Sequence, residues 1–136
     1  MSFSNLKILE FDAEAINLKA IRENLRGIFS EQNIDKNIAD EMVIALNEAC
    51  MNIIQHAYKG AAGKIQIKIE KNATQWRFEL IDFAPAVDIK SIKAKDLAEV
   101  RPGGLGVNFI YQIMDSVDYQ NIAESGNRLV LIKKIS

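Results

Sequence analysis

Lys64-Ile65-Gln66-Ile67-Lys68-Ile69-Glu70 alternates polar residues with isoleucine, and Trp76-Arg77-Phe78-Glu79-Leu80-Ile81-Asp82 repeats that period after a turn around Asn72. Period 2 marks a strand with one covered and one wet face. Upstream, Leu6 to Phe11 reads as a first strand. Asp12 is the expected N-cap of a helix to about Gln32, with Ile16, Ala20, Ile21, Leu25 and Ile28 at helical spacing. Asp35 is the expected cap of a second helix running to about Tyr58, where Gly60-Ala61-Ala62-Gly63 breaks it. Downstream, Phe83 to Gly103 is irregular, and Gly104 to about Met114 predicts a third helix. Val117 to Asn121 and Arg128 to Lys134 close the chain as a hairpin turned at Ser125-Gly126-Asn127. The sum is an α+β fold: a two-layer α/β sandwich with helices on one face of a mixed, mostly antiparallel sheet.

Composition narrows the chemistry. The 136 residues carry 17 Lys+Arg against 18 Asp+Glu, for a net charge of −1. Such a length fits a single domain, residues 1–136. The hydrophobic fraction of 49% excludes a disordered chain. A near-neutral balance argues against a protein whose main task is binding nucleic acid directly. With one Cys (Cys50) and one His (His56), neither a disulfide framework nor a Cys/His zinc cluster can be assembled. The N-terminus has no signal-peptide pattern, and apolar runs of about five residues fall short of the ~20 needed to cross a bilayer. These features predict a cytoplasmic protein that does not enter membranes.

Three places could carry chemistry. Asp82 shares its strand face with Trp76, Phe78 and Leu80, the side that helices should cover. A carboxylate there needs a partner, although it could simply end the strand. Glu48, Asn52 and His56 follow at i, i+4 spacing, at about 0°, 40° and 80° on a helical wheel, along the border of the apolar arc. Spacing alone favours a plain solvated face, alongside Glu41 and Lys59. Arg101-Pro102-Gly103-Gly104-Leu105-Gly106 precedes a helix, and free N–H groups at a helix start suit a phosphate. A flexible hinge would look the same. The P-loop pattern is absent, and the dinucleotide fingerprint fails because no strand precedes this loop.

The order of these features is more specific than any one of them. A helix with Glu-x-x-x-Asn, a strand ending in Asp, a long loop and Gly-Gly-x-Gly opening a helix resembles the ATP-binding Bergerat fold. That superfamily includes gyrase, heat-shock chaperone ATPases, histidine kinases and mismatch-repair ATPases. Glu48 to Tyr58 and Arg101 to Gly106 are most similar to the bacterial anti-sigma-factor serine kinases, and the similarity covers nearly the whole chain. The resemblance implies ATP and Mg²⁺ as cofactors. It implies that Asp82 accepts the adenine amino hydrogen, that Asn52 holds Mg²⁺ against the phosphates, and that Glu48 orients or deprotonates a serine hydroxyl. Gly103, Gly104, Leu105 and Gly106 would approach the phosphates, Arg101 would neutralise γ-phosphate charge, and Phe83 to Pro102 would cover the nucleotide.

Two positions depart from the family pattern. Asp82-Phe83-Ala84-Pro85 stands where Asp-x-Gly is usual, which brings the Ala84 methyl close to the base and disfavours positive φ there. Gly126-Asn127-Arg128 stands where Gly-Thr is frequent, so a contact near the adenine would fall to Asn127 or be missing. The expected function is an ATP-dependent protein-serine/threonine kinase acting as an anti-sigma factor in a partner-switching system. Its partners would be a sigma factor and a small antagonist protein as phosphorylation substrate, and the resemblance implies a homodimer. The alternative is a nucleotide-binding, non-catalytic sequestering module of the same fold. A stand-alone histidine-kinase domain fits less well, because 136 residues leave no room for an acceptor domain.

Overall fold

The structure is a computed structural model that describes residues 2–90, 106–122 and 126–135, with the side chains of 106–108 outside the description. Strand β1 (Ser4–Asp12) is followed by a 3₁₀ turn (Ala15–Asn17), helix α1 (Leu18–Glu31) and helix α2 (Lys36–Asn52). A wide helical turn (Ile53–Ala57) leads to β2 (Lys64–Lys71) and β3 (Gln75–Asp82). Helix α3 (Gly106–Ile113), β4 (Ser116–Asn121) and β5 (Asn127–Lys134) complete the described elements. The strands form one sheet in the order β1-β2-β3-β5-β4, and every described pairing is antiparallel, where a mixed sheet was expected.

The strand pair read from the sequence is in place. Ile65, Ile67 and Ile69 lie opposite Asp82, Leu80 and Phe78. All six are buried, and the five apolar ones share a core with Ile21, Leu25 and Phe29 of α1 and Met42, Leu46 and Ala49 of α2. Asn72 makes the β2–β3 turn by accepting from the N–H groups of Thr74 and Gln75. Asp35 caps α2, its carboxylate accepting from Asn37 N–H at 2.7 Å and Ile38 N–H at 3.3 Å.

The first helix departs from the expectation. Asp12 does not cap it. Asp12 ends β1 opposite Lys64 and pairs with that ammonium at 2.7 Å. α1 starts at Leu18, so Ile16 is left 83% exposed in the preceding turn and Ala20 faces solvent. The buried stripe is Leu18, Ile21, Leu25, Ile28 and Phe29. The chain had two competing partners for Asp12, and the cross-strand lysine prevailed.

The uncovered face of the sheet is polar but not open. Arg77 bridges Glu70 at 2.6 Å and Glu79 at 3.0 Å, and Arg128 reaches Glu79 at 2.8 Å. These long side chains lie across β2, β3 and β5 and shield one another, so Glu70 and Glu79 are each only 9% exposed.

Candidate functional site

α2 ends at the point where the chemistry was expected. Glu48 and Asn52, one turn apart, are both half-buried beside the buried Ala49, Cys50 and Ile53, on the border the helical wheel indicates. Burial raises the Glu48 carboxyl above its ordinary range. His56 does not continue the row. It falls in the wide turn, where Tyr58 N–H reaches back to Ile53 C=O at 3.0 Å, one residue further than in an α-helix, and it is exposed. Cys50 is fully buried and its thiol is pushed up to about 12, which removes it as a nucleophile.

Asp82 ends β3 on the covered face and is 3% exposed. Its Oδ1 accepts from the Asn127 side-chain amide at 2.8 Å and from Ala84 N–H at 3.1 Å. Burial raises its pKa above the ordinary aspartate value, and these two hydrogen bonds partly offset the rise. Both described bonds fall on Oδ1.

Asn127 is fully occupied in holding this corner. Its amide donates to Asp82 and to Pro85 C=O at 3.2 Å, while its oxygen accepts from Val87 N–H at 3.0 Å and Asn121 Nδ2 at 3.1 Å. The bond to Asp82 orients that carboxylate. Ala84 is part of the same corner. It lies outside the positive-φ region, so its backbone is unstrained, and its methyl belongs to the core. Its C=O accepts from Gly126 N–H at 2.8 Å. Gly126 has φ +104°, and a methyl there would meet Asp82 O at 3.0 Å, so glycine is required on both grounds.

Tyr58 brings the two regions together, and no periodic pattern marks it in the chain. Its hydroxyl contacts Lys64 at the start of β2 and Phe83 just beyond β3. Arg101, Gly103, Gly104 and Leu105 lie outside the described residues. Gly106 opens α3, which packs against α2. A separate cavity of about 390 Å³ opens between β1 and α1, lined by Leu6, Lys7, Asn24 and Gly27 among others, and shares no residue with this cluster.

The donor set can be tested against a magnesium nucleotide. A buried carboxylate fits an exocyclic amine, which donates hydrogen bonds. Among the described residues no three His, Cys, Asp or Glu side chains form a metal-binding group. A magnesium ion at Asn52 would take its remaining ligands from phosphate and water, a usual arrangement for Mg²⁺. The residues fit such a ligand.

The sequence profile of the family described as "Histidine kinase-like ATPase domain" matches residues 11–133. Serine-protein kinases RsbW of Bacillus thuringiensis and Bacillus cereus are 27% identical over 135 residues, covering 93% of this chain and 83% of theirs. The SiaB–SiaC complex from Pseudomonas aeruginosa contains a similar fold, with TM-score 0.64 at 13% identity over 94% of this chain and 89% of that one. The RsbU and RsbW domains of Rv1364c from Mycobacterium tuberculosis give TM-score 0.63 at 18% identity, over 96% of this chain and 33% of that one. No described helix is long and apolar enough to cross a membrane.

Proposed function

Because the chain belongs to the histidine kinase-like ATPase domain family, we propose that it is an ATP- and Mg²⁺-dependent protein-serine/threonine kinase. In this reading it acts as an anti-sigma factor in a partner-switching system and phosphorylates a small antagonist protein. The observation that carries the reading is Asp82, a buried carboxylate clamped through Oδ1 and suited to a purine amine. Similarity to serine-protein kinases RsbW supports the reaction class. The resemblance in the motifs supplies the regulatory setting: a sigma factor as second partner, a homodimer and a cytoplasmic location.

Each residue has a distinct task. Asp82 binds and selects the base. Asn52 supplies an amide oxygen to the metal at the helix end. Glu48, one turn earlier, accepts the proton of an incoming serine or threonine hydroxyl, and its raised pKa suits that exchange. Gly106 and the start of α3 meet the phosphates, joined by Gly103, Gly104 and Leu105, while Arg101 neutralises developing charge. Ala84 contributes through the backbone N–H that steadies Asp82. Bound ATP supplies the phosphoryl group, and the chain's own work is orientation and proton acceptance.

The test incubates the protein with labelled ATP, Mg²⁺ and candidate antagonist proteins from the same organism. Acid-stable label on a partner serine or threonine is the expected result. Tight partner binding without label, despite bound ATP, would leave only the sequestering module. Acid-labile phosphohistidine would point to the histidine-kinase class.

A further inference from the structure

We infer that Tyr58 is a positioning residue for base recognition, its hydroxyl taking the place of a sheet rung and fixing how Asp82 faces the ligand. The inference rests on the nucleotide reading above. The last direct rung between β2 and β3 pairs Ile65 with Asp82. The following rung would join Lys64 to Phe83 through N–H and C=O groups. Instead, Phe83 N–H donates to the Tyr58 oxygen at 2.8 Å, and the tyrosine hydroxyl donates to Lys64 C=O at 2.6 Å. Lys64 N–H donates to the same oxygen at 3.1 Å. One donor and two lone pairs are thereby all used.

Inserting a phenol oxygen between the strands makes them part immediately after Asp82. The β2–β3 ladder ends there, and Ala84 N–H folds back onto Asp82 Oδ1. The Phe83 side chain is 54% exposed, so the backbone, not packing, anchors this residue. Tyr58 is itself held from two sides. Its N–H closes the wide turn that begins beside Asn52, and its ring lies against Gly63, where a methyl would overlap it. A single side chain thus ties the helix end bearing Asn52 to the strand end bearing Asp82.

A plug that merely stabilises the fold would not affect which base is bound. The experiment therefore measures affinity for Mg-ATP and for Mg-inosine triphosphate, which lacks the adenine amine, by calorimetry on the full chain. Wild type should prefer ATP by about tenfold or more, the weight of one charge-assisted hydrogen bond. Tyr58→Phe keeps the ring against Gly63 and should bring the preference to within about threefold, chiefly by weakening ATP binding. Phe83→Pro removes the N–H from the opposite end with the tyrosine intact, should give the same loss of preference, and carries the test if Tyr58→Phe does not fold. A folded variant that keeps the wild-type preference overturns the inference, as does a parallel loss of affinity for both nucleotides. A wild-type protein without preference would overturn the base contact itself, which separates failure of the nucleotide reading from failure of the tyrosine's role.

Discussion

Asp82 is held in a position that works against its charge. Burial favours the protonated form in the folded chain, whereas the unfolded chain ionises at the ordinary value of 3.8. The resulting penalty on folding is fully present above the raised folded pKa and disappears as pH falls below the unfolded one. Asp82→Asn keeps an oxygen for Asn127 and Ala84, so it should raise the melting temperature of the nucleotide-free protein at pH 7 by a few degrees. Scanning calorimetry between pH 3 and 8 should show that gain vanish at the acid end, and a gain independent of pH would contradict it. The same substitution should weaken ATP binding by about 10- to 100-fold. At Glu48 the active form is the deprotonated one, so phosphotransfer should rise with pH through its raised pKa and then level off. Glu48→Gln should leave ATP affinity intact and lower transfer by about 10²- to 10⁴-fold, as read by single-turnover assays. The sequence made Asp82 and Glu48 visible because each is a charge on or beside an apolar face. It could not reveal that Asn127 would donate to Asp82, because that contact spans 45 residues.

Helix ends were harder to read than helices. The apolar spacing of α2 survives to Asn52, but a turn wound by one extra residue then carries His56 away from Glu48 and Asn52. Nothing in the residue pattern announces such a turn, which is closed by Tyr58 N–H on Ile53 C=O while the Tyr58 hydroxyl bonds Lys64 and Phe83. Asp12 departs from its expected cap role for a related reason: a cap and a cross-strand ion pair ask for the same side chain. Three glycines separate these influences experimentally. Gly63→Ala forces the Tyr58 ring to move and should cost about 1–3 kcal/mol. Gly126→Ala combines positive φ with contact against Asp82 O and should cost a similar amount. Gly27→Ala, in the exposed middle of α1 with nothing within 4 Å of the added methyl, should instead stabilise by about 0.5–1 kcal/mol. Urea unfolding of the three variants checks the set, and destabilisation by Gly27→Ala would be the outcome at odds with this packing.

Across the whole molecule, one face of the sheet is sealed by helices and the other by its own ion pairs. Removing Arg77 leaves Glu70 and Glu79 close together with little water. Arg77→Met should therefore destabilise by about 1–2 kcal/mol, and adding Glu70→Gln and Glu79→Gln should recover most of the loss in chemical denaturation. The two-layer build with a mostly antiparallel sheet was legible because period-2 alternation survives in β2 and β3 whatever covers them, whereas the strand order was not. The aromatic cluster at the far end of β3 has a spectroscopic consequence. Trp76 is the chain's single tryptophan, fully buried, with the Phe29 ring edge-on at 5.1 Å and Phe78 stacked at 6.1 Å. Its indole N–H meets no acceptor among the described residues, so its emission should be blue and inaccessible to dissolved quenchers. Six residues of strand place it about 20 Å from Asp82. Nucleotide should therefore leave the tryptophan spectrum of the folded protein unchanged, yet shift the fluorescence-monitored melt upward with the logarithm of ligand concentration.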